Sequence, residues 1–518
     1  MTAGLRRERI VIVGAGIAGL AAAVSLAARG ADVHVVEKEA APGGKMRQVA
    51  VGGARVDAGP TVFTMKWAFD RLLETAGTTL EAELGLRKAD TLARHAWPDG
   101  TRLDLFADVA ASAAAIEAFA GAREAEGYRC FCRDAGAIYA TLKDTYIAAE
   151  RPSPLDLVRR IGPTNLSAMW ALKPFSTMWS ALGGYFRDPR LRQLFGRYAT
   201  YCGSSPFRAP ATLMLVAHVE QDGVWLIDGG MHALARALAR VAERHGARID
   251  YGRAVARIET GADGVEAVRL DDGTRLPARA VIFNGDVSAL AGGRLGPLKV
   301  GGTPVPPAAR SLSALTWAVK ASVGDFPLAR HTVLFSDAYA REFDEIFKDR
   351  RVPERPTVYL CAQERDDAGA RDASEDPRDP FLCLINAPAD GDRSPQSESE
   401  IARCLDATIT QMARCGLTLD TATMEVRATG PAGFERLFPG SGGAIYGRAS
   451  HGWTASFRRA GARTAVPGLY LAGGSVHPGP GVPMAALSGQ LAAEAFIADR
   501  ASMPRFRPAV ISGGMSTG

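Results

Sequence analysis

Gly14-Ala15-Gly16-Ile17-Ala18-Gly19 and, further on, Glu37 are the residues whose types and spacing point most directly at chemistry. Glycines at this spacing make a tight turn free of Cβ atoms. A pyrophosphate can then approach the backbone and rest on the N–H groups at a helix N-terminus. A carboxylate placed like Glu37 accepts hydrogen bonds from both ribose hydroxyls of an adenosine, whereas an arginine there would suit a 2′-phosphate. Pro42-Gly43-Gly44-Lys45 adds a second glycine turn, and Asp57-Ala58-Gly59-Pro60-Thr61 follows it. A nicotinamide dinucleotide has no use for that second turn; the longer FAD molecule, which runs on past the first crossover, does. Near the other end, residues 473–483 form a loop with four further glycines and three prolines, stiff and open to close approach. Its partner is expected to be the flavin ring and its ribityl–phosphate chain.

These residues need particular elements to hold them. Ile10, Val11, Ile12 and Val13 read as a buried parallel strand, and Leu20, Val24 and Leu26 give the following helix an apolar face. Val33, Val35 and Val36 form a second strand that ends at Glu37. Residues 10–28 carry no charge and are long enough to span a membrane. Phosphate-loop spacing, with Arg29 and Asp32 directly after, argues for the dinucleotide turn instead. At the far end, residues 467–472 are a strand and 484–497 an Ala-rich helix, so strand, glycine loop and helix recur. Residues 280–283 are another buried strand that ends at Asn284, where the chain returns to the dinucleotide domain.

With 518 residues, two or three lobes are expected. A net charge of +5 from 61 basic and 56 acidic residues is no nucleic-acid footprint, although a modest attraction to anionic lipid fits it. Seven unpatterned cysteines point to reduced thiols and a cytoplasmic chain. No signal peptide is expected before the first strand. Histidines are scattered without metal-ligand spacing, and no Gly-x-Ser-x-Gly elbow is present, so neither a metal site nor acyl transfer is expected.

Residues 66–76 read as an amphipathic helix, 95–103 as a hairpin about Asp99-Gly100, and 107–146 as a long helical region. Residues 166–182 mix Met169, Trp170, Phe175, Met178 and Trp179 with few charges. They suit a buried helical pair, or a lipid-facing surface at a tunnel mouth. Residues 232–245 are a helix, 248–251 and 254–258 strands, 265–278 a hairpin, 365–380 a charged surface loop and 502–518 a disordered tail.

Three distant segments together resemble the bacterial-type carotenoid (phytoene) desaturases: residues 10–45, the Asp57-Ala58-Gly59-Pro60-Thr61 stretch, and His477-Pro478-Gly479-Pro480-Gly481. Residues 62–67, 93–97, 194–201, 223–225 and 229–232 look most like the 1-hydroxycarotenoid 3,4-desaturases (methoxyneurosporene dehydrogenases) of purple photosynthetic bacteria. Val476 and Pro480 depart from the family's usual loop. The resemblance implies an α/β fold: a Rossmann-like FAD-binding domain of glutathione-reductase/amine-oxidase type, an inserted α+β substrate domain and a helical membrane-facing region. The expected partition is 1–70, 230–292 and 445–500 for FAD, 71–229 for the helical part, 293–444 for the β-rich substrate domain, and 501–518 for the tail.

The resemblance implies FAD-dependent 3,4-desaturation of a 1-hydroxy- or methoxycarotenoid such as hydroxyneurosporene or rhodopin. FAD would be held by Gly14, Ala15, Gly16, Ala18, Gly19, Glu37 and Lys38. Gly43, Gly44 and Lys45, then Gly59, Pro60 and Thr61, continue the site. The backbone of Val255 would meet the adenine, and Asn284, at the end of the strand 280–283, belongs to the same cofactor set. Gly473, Gly474, Gly481, Val482 and Pro483 complete the set around the ring. Asp188 and Arg192 are candidates for an acid–base pair near the tunnel; the alternative for Asp188 is a helix cap before Pro189. His477 would polarise the flavin or simply hold its loop. The partners implied are a long apolar carotenoid, a membrane surface, and oxygen or a quinone as electron acceptor. The protein would sit peripherally on the inner or photosynthetic membrane.

Three activities share such a fold: oxidative desaturation, whether of a hydroxycarotenoid or of phytoene; redox-neutral isomerisation of a polyene; and prenyl-lipid binding without catalysis. The intact glycine turns and Glu37 argue against the last. An amine oxidase is disfavoured because no paired-aromatic cage surrounds the final loop.

Overall fold

The computed structural model describes residues 9–298, 300, 303–371 and 376–502. Residues 1–8 and most of the tail expected to be disordered lie outside the described residues. The cofactor layer is a parallel five-stranded sheet in the order Leu469–Leu471, Ala280–Phe283, Arg9–Val13, Asp32–Val36 and Arg248–Asp250. Val11 lies opposite both Val281 and His34. The strands read as near-continuous apolar runs because both faces are covered. Ile10, Ile12, Val33 and Val35 join one core with the helices Ile17–Ala27, Met231–Arg244 and Val482–Ser502. Val11, Val36, Val281 and Leu469 join another core with the antiparallel sheet of Val255–Gly261, Gly264–Leu270 and Arg275–Pro277. Alternate residues of each strand thus feed opposite sides. The first and last of these helices approach closely through small residues: a Cβ on Gly489 would stand 2.0 Å from the Ala18 carbonyl oxygen.

A seven-stranded sheet runs Glu425–Thr429, Ser313–Ala321, Asp379–Ala387, Val358–Ala362, His331–Leu334, Thr91–Ala96 and Arg102–Phe106. Its last two strands are the expected hairpin about Asp99-Gly100, which joins the sheet edge beside His331–Leu334 and so lies within the β layer although it falls in the segment assigned to the helical part. The long helical region divides at Gly121, whose φ of +95° interrupts the helical backbone, into Val109–Ala120 and Ala122–Leu142. Beyond it, Pro154–Ile161, Leu166–Ala171, Met178–Tyr185 and Pro189–Gly196 lead into a 3₁₀ turn, Arg197–Cys202. The Met- and aromatic-rich stretch is buried in part and exposed in part: Met178 and Leu182 are fully buried, while Trp170 and Phe175 are 77% and 80% exposed. No helix among the described residues is long and apolar enough to cross a membrane, and all seven cysteines are free thiols.

Candidate functional site

The site forms where the order of the parallel sheet switches, at the carboxyl ends of Arg9–Val13 and Ala280–Phe283, the usual place for a ligand in an open α/β sheet. Gly14 leaves its strand with φ +99°, a conformation that glycine adopts freely. Asn284 Nδ2 donates to the Gly14 carbonyl at 3.1 Å. An added Cβ on Gly16 would lie 2.9 Å from Asn284 Nδ2, and one on Gly19 would lie 2.1 Å from the Gly14 oxygen. On the other side of Asn284, a Cβ on Gly473 would lie 3.2 Å from its Oδ1. One asparagine therefore stands between the early and late glycine turns.

Glu37 Oε2 accepts the Ala15 N–H at 2.7 Å and Oε1 that of Glu39 at 2.9 Å. Each oxygen keeps a lone pair for a ribose hydroxyl. Burial raises the Glu37 pKa, and the two backbone donors pull it back. Arg253 N donates to the Glu37 carbonyl at 2.9 Å, which carries Val255 to the same corner. Gly43 N bonds to Ala15 O at 2.8 Å and clips the second glycine turn onto the first.

A cavity of about 860 Å³ takes in Gly14, Gly16, Ala18, Glu37, Lys38 and Val255. The same cavity is lined by Gly43, Gly44, Lys45, Gly59, Pro60 and Thr61, by Asn284, and by Gly473, Gly474, Gly481, Val482 and Pro483. Ala15 and Gly19 build the turn without lining this space. Lys45 Nζ donates to Ile445 O at 2.8 Å, and burial pulls its pKa down. A cradle that any Cβ would fill, the acid at the second strand end and the facing late loop fit FAD.

The cavity continues between Leu142, Ile147, Leu157, Leu172, Leu213 and Val216, and reaches Trp453 and Phe457. Trp453 is 46% exposed, and its ring packs edge-on to Phe175 with centroids 5.8 Å apart. That pair sets exposed aromatic rings at the edge of the cavity lining.

The proposed acid–base pair does not form. Asp188 caps Pro189–Gly196, accepting from Arg190 N at 2.7 Å, and pairs with Arg190 Nη2 at 2.7 Å, not with Arg192. The neighbouring arginine and the cap hold its pKa down against the effect of burial. Arg192 lies on the Trp179 ring, 4.6 Å from its centroid. Neither residue borders the cavity. An aspartate before proline takes the cap because the first-turn N–H groups need an acceptor. His477 is also off the wall: it bonds to Ala149 O at 2.9 Å, packs edge-on to Tyr146, and is pushed down to about 4 by burial. It anchors its loop and packs on Tyr146, which itself lines the cavity.

Residues that sequence reasoning did not single out also converge here. Arg459 is buried and donates to the Tyr446, Gly474 and Arg448 carbonyls at 3.2, 3.3 and 2.8 Å, stapling the late loop to its neighbour. Glu342 Oε2 accepts the Thr357 hydroxyl at 2.7 Å and backbone N–H at 3.1 Å, and burial pushes its pKa up to about 7. Arg197, Tyr201, Glu220 and Tyr359 form a polar group on the same wall. A charge inside the aromatic run at 194–201 is a signal for that group; nothing in the sequence marks Glu342, whose helix Tyr339–Phe347 looks like a surface one.

The family of flavin-containing amine oxidoreductases matches residues 17–497. The chain is 54% identical over 519 residues to the hydroxyneurosporene desaturase of Rubrivivax gelatinosus, covering 100% of this chain and 98% of that one. It is 31% identical over 504 residues to the 1-hydroxycarotenoid 3,4-desaturase of Flavobacterium sp. (strain P99-3), covering 94% and 98%. Among solved structures, a putrescine oxidase variant redesigned at its cofactor site shares the fold, with a TM-score of 0.60 at 17% identity over 95% of this chain and 99% of that one.

Proposed function

This chain belongs to the flavin-containing amine oxidoreductases, among their bacterial carotenoid desaturases, and from that membership we propose that it is an FAD-dependent carotenoid desaturase that introduces the 3,4 double bond into a 1-hydroxy- or methoxycarotenoid such as hydroxyneurosporene or rhodopin. The observation that carries this reading is the single cavity that joins the two glycine turns to an apolar chamber with aromatic rings at its edge. FAD, when bound, supplies the two-electron oxidant that converting CH2–CH2 to CH=CH requires.

The chain's own residues would do the rest. Gly14, Gly16, Glu37, Gly43, Gly44 and Val255 would hold the dinucleotide. Arg459 would fix the late loop against the ring. Leucine, valine and aromatic side chains align the polyene and exclude water, and most of the catalytic advantage would come from that alignment. Cleavage of an allylic C–H leaves charge delocalised into the polyene, so no strong electrophile is needed from the protein. A proton must still depart. Glu342 Oε2 is occupied by Thr357, while Oε1 accepts only a 3.4 Å contact from Asn386, so Oε1 is the atom open to a proton. With its pKa near 7, Glu342 is suited to general-base work at neutral pH.

The substrate would enter from a membrane. Leu155, Trp170 and Phe175 are exposed at 72%, 77% and 80%, and Arg159 and Arg160 share the helix Pro154–Ile161 with Leu155. Exposed apolar rings among basic residues suit peripheral insertion into anionic lipid. Leu157, on the same helix, lines the cavity, which would link docking to uptake.

The test is to incubate the flavin-loaded protein with liposomes that carry hydroxyneurosporene, rhodopin or phytoene. A red shift and a product two hydrogens lighter from the hydroxylated substrates are expected. Conversion of phytoene alone, or a product of unchanged mass, overturns the reading.

A further inference from the structure

Arg197 is part-buried and lines the cavity. Among the described residues no carboxylate lies within ion-pair distance of its guanidinium, and the one hydrogen bond it makes is a 3.3 Å contact from Nη1 to Tyr201 OH. Its centroid-to-carbon stacking distances are 5.2 Å over Tyr201 and 5.3 Å over Tyr359. A guanidinium carries five N–H donors. The Glu220 carboxylate, linked to Tyr201, and the two tyrosines around it support the charge of Arg197, but among the described residues all but one of its donors lack an acceptor, and a buried donor favours one. Tyr339, which lines the same cavity, has a buried hydroxyl without a partner among the described residues.

The local backbone explains the display. In the 3₁₀ turn Arg197–Cys202, side chains three apart stand on one face. Arg197 and Thr200 both reach the cavity, with Tyr201 beside them, while Tyr198 turns inward and donates to Glu220 Oε2 at 2.7 Å. Tyr359 joins this group to Thr61, hydroxyl to hydroxyl at 2.6 Å, and so to the Gly59-Pro60-Thr61 segment that would hold the cofactor. The cluster thus belongs to the cofactor end of the cavity, away from the aromatic edge.

We propose that Arg197, with Tyr201, Tyr359 and Tyr339, binds the terminal hydroxyl of the substrate and thereby selects which carbons are oxidised. This rests on the reading that the substrate is a 1-hydroxycarotenoid. A carotenoid is a chain of repeating isoprene units, so an apolar channel holds it about equally well at several offsets. A single polar anchor removes that degeneracy. The bond formed at carbons 3 and 4 lies only two carbons from the hydroxylated carbon, so the anchor must sit close to the ring, where this cluster is. A site built around buried donors also rejects a chain end that cannot match them.

The experiment compares the flavin-loaded wild type with Arg197→Met and Tyr201→Phe in liposomes, using hydroxyneurosporene and neurosporene, which has the same conjugated polyene but a 1,2 double bond in place of the hydroxylated end. Arg197→Met is expected to keep its flavin and to lose roughly 10- to 100-fold in kcat/KM on the hydroxylated substrate. On neurosporene it should be unchanged or faster, with double bonds at shifted positions in the products. Tyr201→Phe should move the same way by less, and it decides the matter should Arg197→Met fail to fold. Equal losses on both substrates, no loss on either, or a colourless Arg197→Met beside a normal Tyr201→Phe overturns the assignment. A wild type inert toward hydroxyneurosporene but active on phytoene instead sinks the proposed function, and this assignment with it.

Discussion

Glu342→Gln keeps the shape of a buried side chain and its acceptor for Thr357 while removing its charge. The carboxyl rises from the usual 4.5 to about 7, chiefly because burial disfavours the ionised form, with Thr357 and Asn386 opposing and Glu345 adding slightly. At ~1.4 kcal/mol for each pH unit between the two values, ionised Glu342 costs the fold about 3 kcal/mol. A raised carboxyl pKa leaves stability intact below the unfolded value and erodes it as pH climbs toward the folded one. From about pH 5 to pH 8 the wild type should therefore lose ~2–3 kcal/mol that the glutamine variant retains. For a chain this long, unfolding entropy is ~1 kcal/mol per degree, so the gap in thermal midpoint should widen by about 2–3 °C. The assay is thermal unfolding of both holoproteins across that range, read by circular dichroism and by flavin release. A constant offset fits an altered hydrogen bond; only a widening one fits a displaced pKa. A flat difference refutes the raised pKa and removes the grounds for giving Glu342 the proton. If the base assignment is right, a rising limb of kcat near neutrality also disappears in the variant.

Three further outcomes are expected. Glu37→Gln retains one acceptor oxygen without charge, so FAD should dissociate ~10- to 100-fold more readily, measured by flavin fluorescence titration. Asp188→Ala removes a helix cap at a cost of ~1 kcal/mol in urea unfolding, with turnover unchanged; lost turnover at unchanged stability would restore it to the chemistry. Trp170→Ser and Phe175→Ser each forfeit ~1.5–3 kcal/mol of apolar transfer, so vesicle co-sedimentation should drop about tenfold or more per site while bound flavin stays constant.

The dinucleotide half of the site was legible because its signals are local. Gly14, Gly16 and Gly19 are within one turn of each other, and Glu37 closes the very next strand. The late loop could be matched to the early one because both carry the same kind of strand–turn–helix pattern, and Asn284 is where they meet. What stayed hidden depends on packing between distant segments. Thr91–Ala96 pairs with His331–Leu334 across more than two hundred residues, so the hairpin about Asp99-Gly100 was legible but the strand it joins was not. Glu342 reads as one more charge on an amphipathic helix, until Thr357 and Asn386 from the large sheet close over it. Asp188 misled for the opposite reason: an acid among arginines looks like chemistry, yet the adjacent Pro189 and the open N–H groups of the first turn account for it entirely.

The contact between Gly489 and Ala18 has a consequence for biosynthesis. The strand Leu469–Leu471 and the helix Val482–Ser502 leave the ribosome last, yet they complete a layer that begins with Arg9–Val13. Until they arrive, the small-residue face of the first helix has no cover and the loop facing the flavin does not exist. Cofactor capture must therefore follow translation, with the nascent N-terminal segment kept from premature association in the meantime. A message truncated before the last helix yields no half-active desaturase, only a colourless chain for the proteases.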